Sequence, residues 1–176
     1  MQNKSVRETV LSGLFIALGL VLPTFFHMFG AGSTFLPMHI PILIAGFVLS
    51  LPYAVAVGVL TPILSSVFTG MPPMFPVLPF MVFELAMYAA VSSIMYRKFK
   101  INIYISLISS MVIGRIVSAL VVWVLATFFM AKLPSPFIFI TGAVTQGVPG
   151  IIIQLVFIPA IIIVLAKNKL IQSEAV

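Results

Sequence analysis

The chain has 176 residues, a length that suits one domain, but it is 62% hydrophobic and only 7% charged, which excludes an ordinary water-soluble globule. Its net charge of +6 comes from basic residues in short clusters between apolar runs, a topology signal rather than a phosphate-binding stripe, so no nucleic-acid partner is expected. With no cysteine there can be no disulfide, thiolate metal site or cysteine nucleophile.

Apolar runs long enough to cross a bilayer recur along the chain, and Ile151–Leu165 is continuously Ile, Leu and Val rather than alternating. The sequence therefore predicts an all-α membrane protein, one integral-membrane domain over residues 1–176, and not a β-barrel. A short polar lead, Met1–Glu8, precedes helix 1 at about Thr9–Phe29, which Pro23 is expected to bend or fray. Pro23 and the absence of a small-residue cleavage site mark this segment as a retained helix rather than a signal peptide. Gly30–Phe35 reads as a loop, and helix 2 as the short piece from Met38 to Ser50, ended by Leu51-Pro52. Helix 3 covers about Tyr53–Thr69, Gly70–Pro76 is a stiff turn, and helix 4 runs from Pro79 to Tyr96. Helix 5 follows the basic cluster Arg97–Lys100 and covers about Ile101–Met130; after the Lys132–Pro136 loop, helix 6 covers about Phe137–Ala166.

Six transmembrane helices would put both termini on one side. That side holds Lys4, Arg7, Arg97, Lys98, Lys100, Lys167 and Lys169, against Lys132 alone in the opposite loops. The asymmetry predicts cytoplasmic N- and C-termini. Helices 2 and 3 fall short of the roughly 20 residues of a full crossing and are expected to pack against neighbours. No internal repeat supports an inverted-repeat transporter, and no Gly-rich P-loop could hydrolyse ATP.

Ionisable groups inside membrane helices are retained where they face protein or a wet cavity. Glu84 lies about two turns into helix 4, Arg115 near the middle of helix 5, Gln146 in the outer half of helix 6 beside Thr141 and Thr145, and His39 at the start of helix 2. These groups approach one level in the outer half of the bundle. Two readings stand for Glu84 and Arg115: a structural ion pair, or walls of a ligand cavity. Tyr88, one turn from Glu84 on the same face, would be a second wall, and Trp123 would either anchor at the headgroups or stack on a flat ligand. Met71 belongs to the stiff turn, which with the flexible Gly30–Thr34 loop would roof the cavity. Gln154 is expected to bridge helices. Gly13 and Ala17 form a small-xxx-small spacing on helix 1 that admits a close partner helix. With no Asp and one intramembrane carboxylate, neither a catalytic set nor a metal site is expected, and no cofactor.

The helix-1 spacing, the run from Leu36-Pro37-Met38-His39-Ile40-Pro41 to Phe47, and the later stretches Pro62–Pro73 and Phe83–Tyr88 resemble the substrate-binding S component of energy-coupling factor (ECF) vitamin transporters. The resemblance implies a prokaryotic plasma-membrane protein that binds a scarce water-soluble vitamin or precursor in an outward-facing pocket. It implies association with a transmembrane coupling protein and two cytoplasmic ATPases, and toppling of the subunit within the bilayer. An Ala-x-x-x-Ala motif on helix 1 contacts the coupling protein in that family; Gly13 and Ala17 occupy it here, with Gly keeping the first position small. Arg115 and His39 suit an anionic ligand such as pantothenate or niacin. If Glu84 already neutralises Arg115, a neutral or cationic ligand fits as well. Two other functions stay open: a stand-alone proton-coupled carrier using Glu84, and a ligand-free membrane assembly protein.

Overall fold

The computed structural model describes residues 4–30, 32–129 and 133–168. It is helical throughout, in the order α1 (Lys4–Met28), α2 (Gly32–Phe35), α3 (His39–Val48), α4 (Leu51–Thr69), α5 (Val77–Ser92), α6 (Ile103–Phe128) and α7 (Pro136–Lys167). A π-helical turn, Ser93–Lys98, extends α5. No strand occurs among the described residues. Five helices are long and apolar enough to cross a membrane: α1, α4, α5 with its π-turn, α6 and α7. Thus α3 is an apolar helix below spanning length, where six transmembrane helices were expected, while α4 proves long enough. Lys132 and Lys169, which enter the charge asymmetry, lie outside the described residues.

Proline and glycine set most of the boundaries. Pro41 sits in the first turn of α3, where its missing N–H has no helical partner to lose. Leu49 turns extended, Ser50 caps α4, and Pro52 occupies its first turn. Gly70, with φ of 72°, ends α4 in the left-handed conformation. Asn102 caps α6 by accepting from the Tyr104 N–H at 2.9 Å. The proline at 23 does not interrupt α1, which stays helical to Met28. One stretch expected to be loop is partly helical, since Gly32–Phe35 forms α2.

α3 explains its own shortness. Every residue of it except Ile40 is buried, so it forms the centre of the core instead of spanning lipid. Ile42, Leu43, Phe47 and Leu49 meet Leu85, Tyr88, Leu107, Ile158 and Ile162 in one apolar cluster. By contrast α1 buries only Glu8, Phe15, Gly19 and Pro23, and its face at Val10, Gly13, Leu14, Ala17 and Val21 is open. Gln154 on α7 is fully buried, but neither of its amide atoms has a partner among the described residues, unlike the expected bridging role.

Helix α1 begins at Lys4, and Glu8 is buried within it because its carboxylate has a partner there. Both the Ser50 N–H, at 3.3 Å, and the Ser50 hydroxyl donate to Glu8 Oε2. From the π-turn, Ser93 Oγ donates to the Leu49 carbonyl at 3.2 Å and Arg97 donates to the Val48 carbonyl. Backbone groups at the α3–α4 joint are thereby partnered by two other helices, clasping the end of the bundle where α1 begins. Replacing Glu8 by Ala should destabilise the protein by about 1–3 kcal/mol through the loss of two bonds to a charged acceptor. Thermal unfolding in detergent would measure it.

Candidate binding cavity

At the opposite end from the clasp, the helices enclose a cavity of about 690 Å³. That falls within the range of small-molecule sites, roughly 300–1,000 Å³. Its walls come from the ends of α1 and α4, the α2–α3 connection, and the faces of α5, α6 and α7. Pro37 and Met38 line it from the α2–α3 connection and His39 from the first residue of the short core helix; Met71, Pro72 and Pro73 roof it from the 70–76 turn.

Two hydrogen bonds tie the roof to α4. Ser65 Oγ donates to the Met71 carbonyl at 2.6 Å and Ser66 Oγ to the Pro72 carbonyl at 2.7 Å, so α4 pins the turn that follows it. Both Met71–Pro72 and Phe75–Pro76 peptide bonds are cis. The other side of the roof is also anchored. A Cβ at Gly150 of α7 would lie 2.6 Å from the Phe35 carbonyl oxygen, so only glycine lets α2 settle this closely on α7. The expected flexible lid is therefore a helical turn seated on a neighbour.

The polar chemistry converges on one atom. Arg115 Nη1 lies 3.0 Å from Glu84 Oε1, the Tyr88 hydroxyl donates to the same oxygen at 2.8 Å, and His39 Nε2 stands 3.5 Å from it. Glu84, His39 and Arg115 all line the cavity. The two readings of the Glu84–Arg115 pair therefore coexist in one geometry: an ion pair that also forms a cavity wall. Tyr88 is buried behind that wall, 5.4 Å ring to ring from His39, and supports Glu84 from below. Its ring occupies the space that a Cβ at Gly114 of α6 would need, so this glycine admits the tyrosine to its place.

Of the remaining residues singled out from sequence, Met71 and Gln146 line the cavity. Thr145 and Trp123 are not among its lining residues. Thr145 is exposed, its hydroxyl donating to the Thr141 and Gly142 carbonyls of its own helix at 2.8 and 3.1 Å. Trp123 is half-exposed and packs edge-on against Phe128. Gly13 and Ala17 are both exposed, with nothing within 4 Å of a Cβ placed at Gly13. Sequence reasoning missed His27, Ser65 and Thr69, which line the cavity from α1 and α4. The available signal was position: each polar side chain sits in the last two turns of a helix that ends at the roof. Among the described residues no group of His, Cys, Asp or Glu could hold a metal ion.

A family model described as the ECF transporter substrate-specific component matches residues 7–163 of the chain. No curated protein and no solved structure matches it.

Proposed function

We propose, from the premise that the chain belongs to the family of ECF transporter substrate-specific components, that its end cavity receives a water-soluble vitamin or vitamin precursor. As a member of that family it is a multi-pass membrane transport subunit, a substrate-binding component and not a catalyst. The observation that carries the reading is the cavity itself. About 690 Å³ of space, lined mostly by apolar side chains, meets a small convergent polar group at Glu84, Arg115 and His39. Such a division, apolar walls with a few placed polar atoms, is what binds and orients a small molecule.

In this reading the termini are cytoplasmic and the cavity opens outward. The described basic residues Lys4, Arg7, Arg97, Lys98, Lys100 and Lys167 gather at the clasp end, which supports that orientation. The loaded subunit delivers its ligand by associating with a transmembrane coupling protein and two ATPases, through the open face of α1 around Gly13 and Ala17. Arg115 and His39, taken alone, favour the carboxylate vitamins pantothenate and niacin, which belong in any ligand panel.

Affinity purification of the full chain from its native membrane tests the reading. The coupling protein and two ATPases should co-purify, and uptake should require ATP hydrolysis. Uptake into liposomes holding this chain alone, driven only by a pH gradient, would instead establish a stand-alone proton-coupled carrier. A purified chain that binds no vitamin or precursor would point to an assembly protein.

A further inference from the structure

We infer that the ligand of this cavity is an uncharged molecule that presents an adjacent N–H donor and C=O or ring-nitrogen acceptor to Glu84 and Arg115, as an amide, lactam or pyrimidine edge does. The inference rests on the ligand-binding role proposed above and narrows its substrate class.

The charges on the cavity wall decide the class. Among the described residues its charged groups are one carboxylate, Glu84, and one guanidinium, Arg115, joined at 3.0 Å and both largely buried; two imidazoles, His27 and His39, complete the described ionisable lining. The pair is neutral as a unit. A ligand carboxylate seeking Arg115 would place a second anion beside Glu84 in a poorly solvated site, and like charges at that range repel strongly. A ligand cation seeking Glu84 would meet the guanidinium already bound there and would take the place of neither. A net-neutral ligand avoids both repulsions.

The unused bonding capacity decides the edge. Tyr88, Arg115 and His39 all approach Glu84 Oε1, and Glu84 and Arg115 both line the cavity, where a ligand edge can reach them. A carboxylate on an apolar wall accepts from a donor, which a ligand N–H supplies. Arg115 has five N–H donors in a planar fork, more than a pair with one carboxylate can use, so it can also donate to a neighbouring acceptor on the ligand. His39 is buried on the same wall, and neither ring nitrogen has a hydrogen-bond partner among the described residues. It offers a further donor or acceptor to the same edge. Elsewhere Met38, Met71, Met81, Phe80 and Phe139 line the space, a polarizable and aromatic surround suited to the body of a flat ring.

The test is isothermal titration of the purified full chain with the water-soluble vitamins and their precursors, including hydroxymethylpyrimidine and the nicotinamide–nicotinate pair. Uncharged members should bind tightest, and nicotinamide should bind at least tenfold tighter than nicotinate. A carboxylate or a cation as tightest ligand overturns the inference while leaving vitamin binding in place; no binding by any member overturns the proposed function as well. In Glu84→Gln the Arg115 guanidinium is released, so affinity should fall at least tenfold for the uncharged ligand and rise for the carboxylate. Unchanged affinity for the uncharged ligand would remove Glu84 from the contact. Should that variant fail to fold, the wild-type panel alone still decides.

Discussion

Replacing Arg115 by Ala should abolish detectable ligand binding and lower thermal stability at the same time. The guanidinium is the partner of a carboxylate that is only 2% exposed, so its removal leaves Glu84 buried with a charge and no counter-ion. Breaking a buried pair in this way costs about 3–5 kcal/mol, because the desolvation of the surviving charge is no longer offset. The Tyr88 hydroxyl remains as a donor to Glu84, which keeps the loss toward the lower end. Removing both charges together, with Arg115→Met and Glu84→Gln, should recover most of the stability, since an apolar and an amide side chain of similar size need no ion partner. It should not recover binding. That contrast separates the two duties of the pair: thermal unfolding reads its structural part, and titration with the tightest wild-type ligand reads its recognition part. Full binding by the single Ala variant would show the pair to be structural only.

Introducing Leu at both Gly13 and Ala17 should eliminate co-purification with the coupling protein and ATP-dependent uptake, yet leave ligand affinity within about twofold of wild type. The packed face of α1, at Glu8, Phe15, Gly19 and Pro23, points away from these two positions. Because a Cβ at Gly13 meets nothing within 4 Å, added bulk there disturbs no contact inside the subunit. What it obstructs is the close approach of another helix, for which small residues are required in a membrane where apolar burial offers no advantage over lipid. Equal loss of ligand binding and of partner association would mean that the substitutions perturb the bundle, and would count against a docking face. The Glu8 clasp gives a control of opposite design: it lies on the packed face, so its loss should show in stability.

Much of the architecture is local information. The prolines at 37, 41, 52, 72, 73 and 76 and the glycine at 70 interrupt or cap helices by rules that act over a few residues, and the helix ends fall close to them. Composition determines that the chain lives in a membrane, since apolar runs without polar cover have no other stable setting. Depth along a helix follows from counting residues, so the convergence of His39, Glu84, Arg115 and Gln146 at one level was legible. So was the fact that an intramembrane carboxylate and guanidinium need a reason to be there.

Rotation about each helix axis and the depth of each crossing were not legible, because they depend on contacts between residues far apart in sequence. The space at Gly114 admits Tyr88 behind Glu84 and not into the cavity; Gly150 seats α2 on α7; and Thr145 is exposed on α7. The burial of Glu8 needed Ser50, 42 residues away, before a carboxylate could leave water. The sequence by itself determined a helical membrane protein with polar groups held at one depth. Only the tertiary structure decided that Glu84 and Arg115 are joined and that Arg115, Tyr88 and His39 converge on one oxygen of the carboxylate, because pairing is a property of distance in space and a single chain read in order carries no such distance.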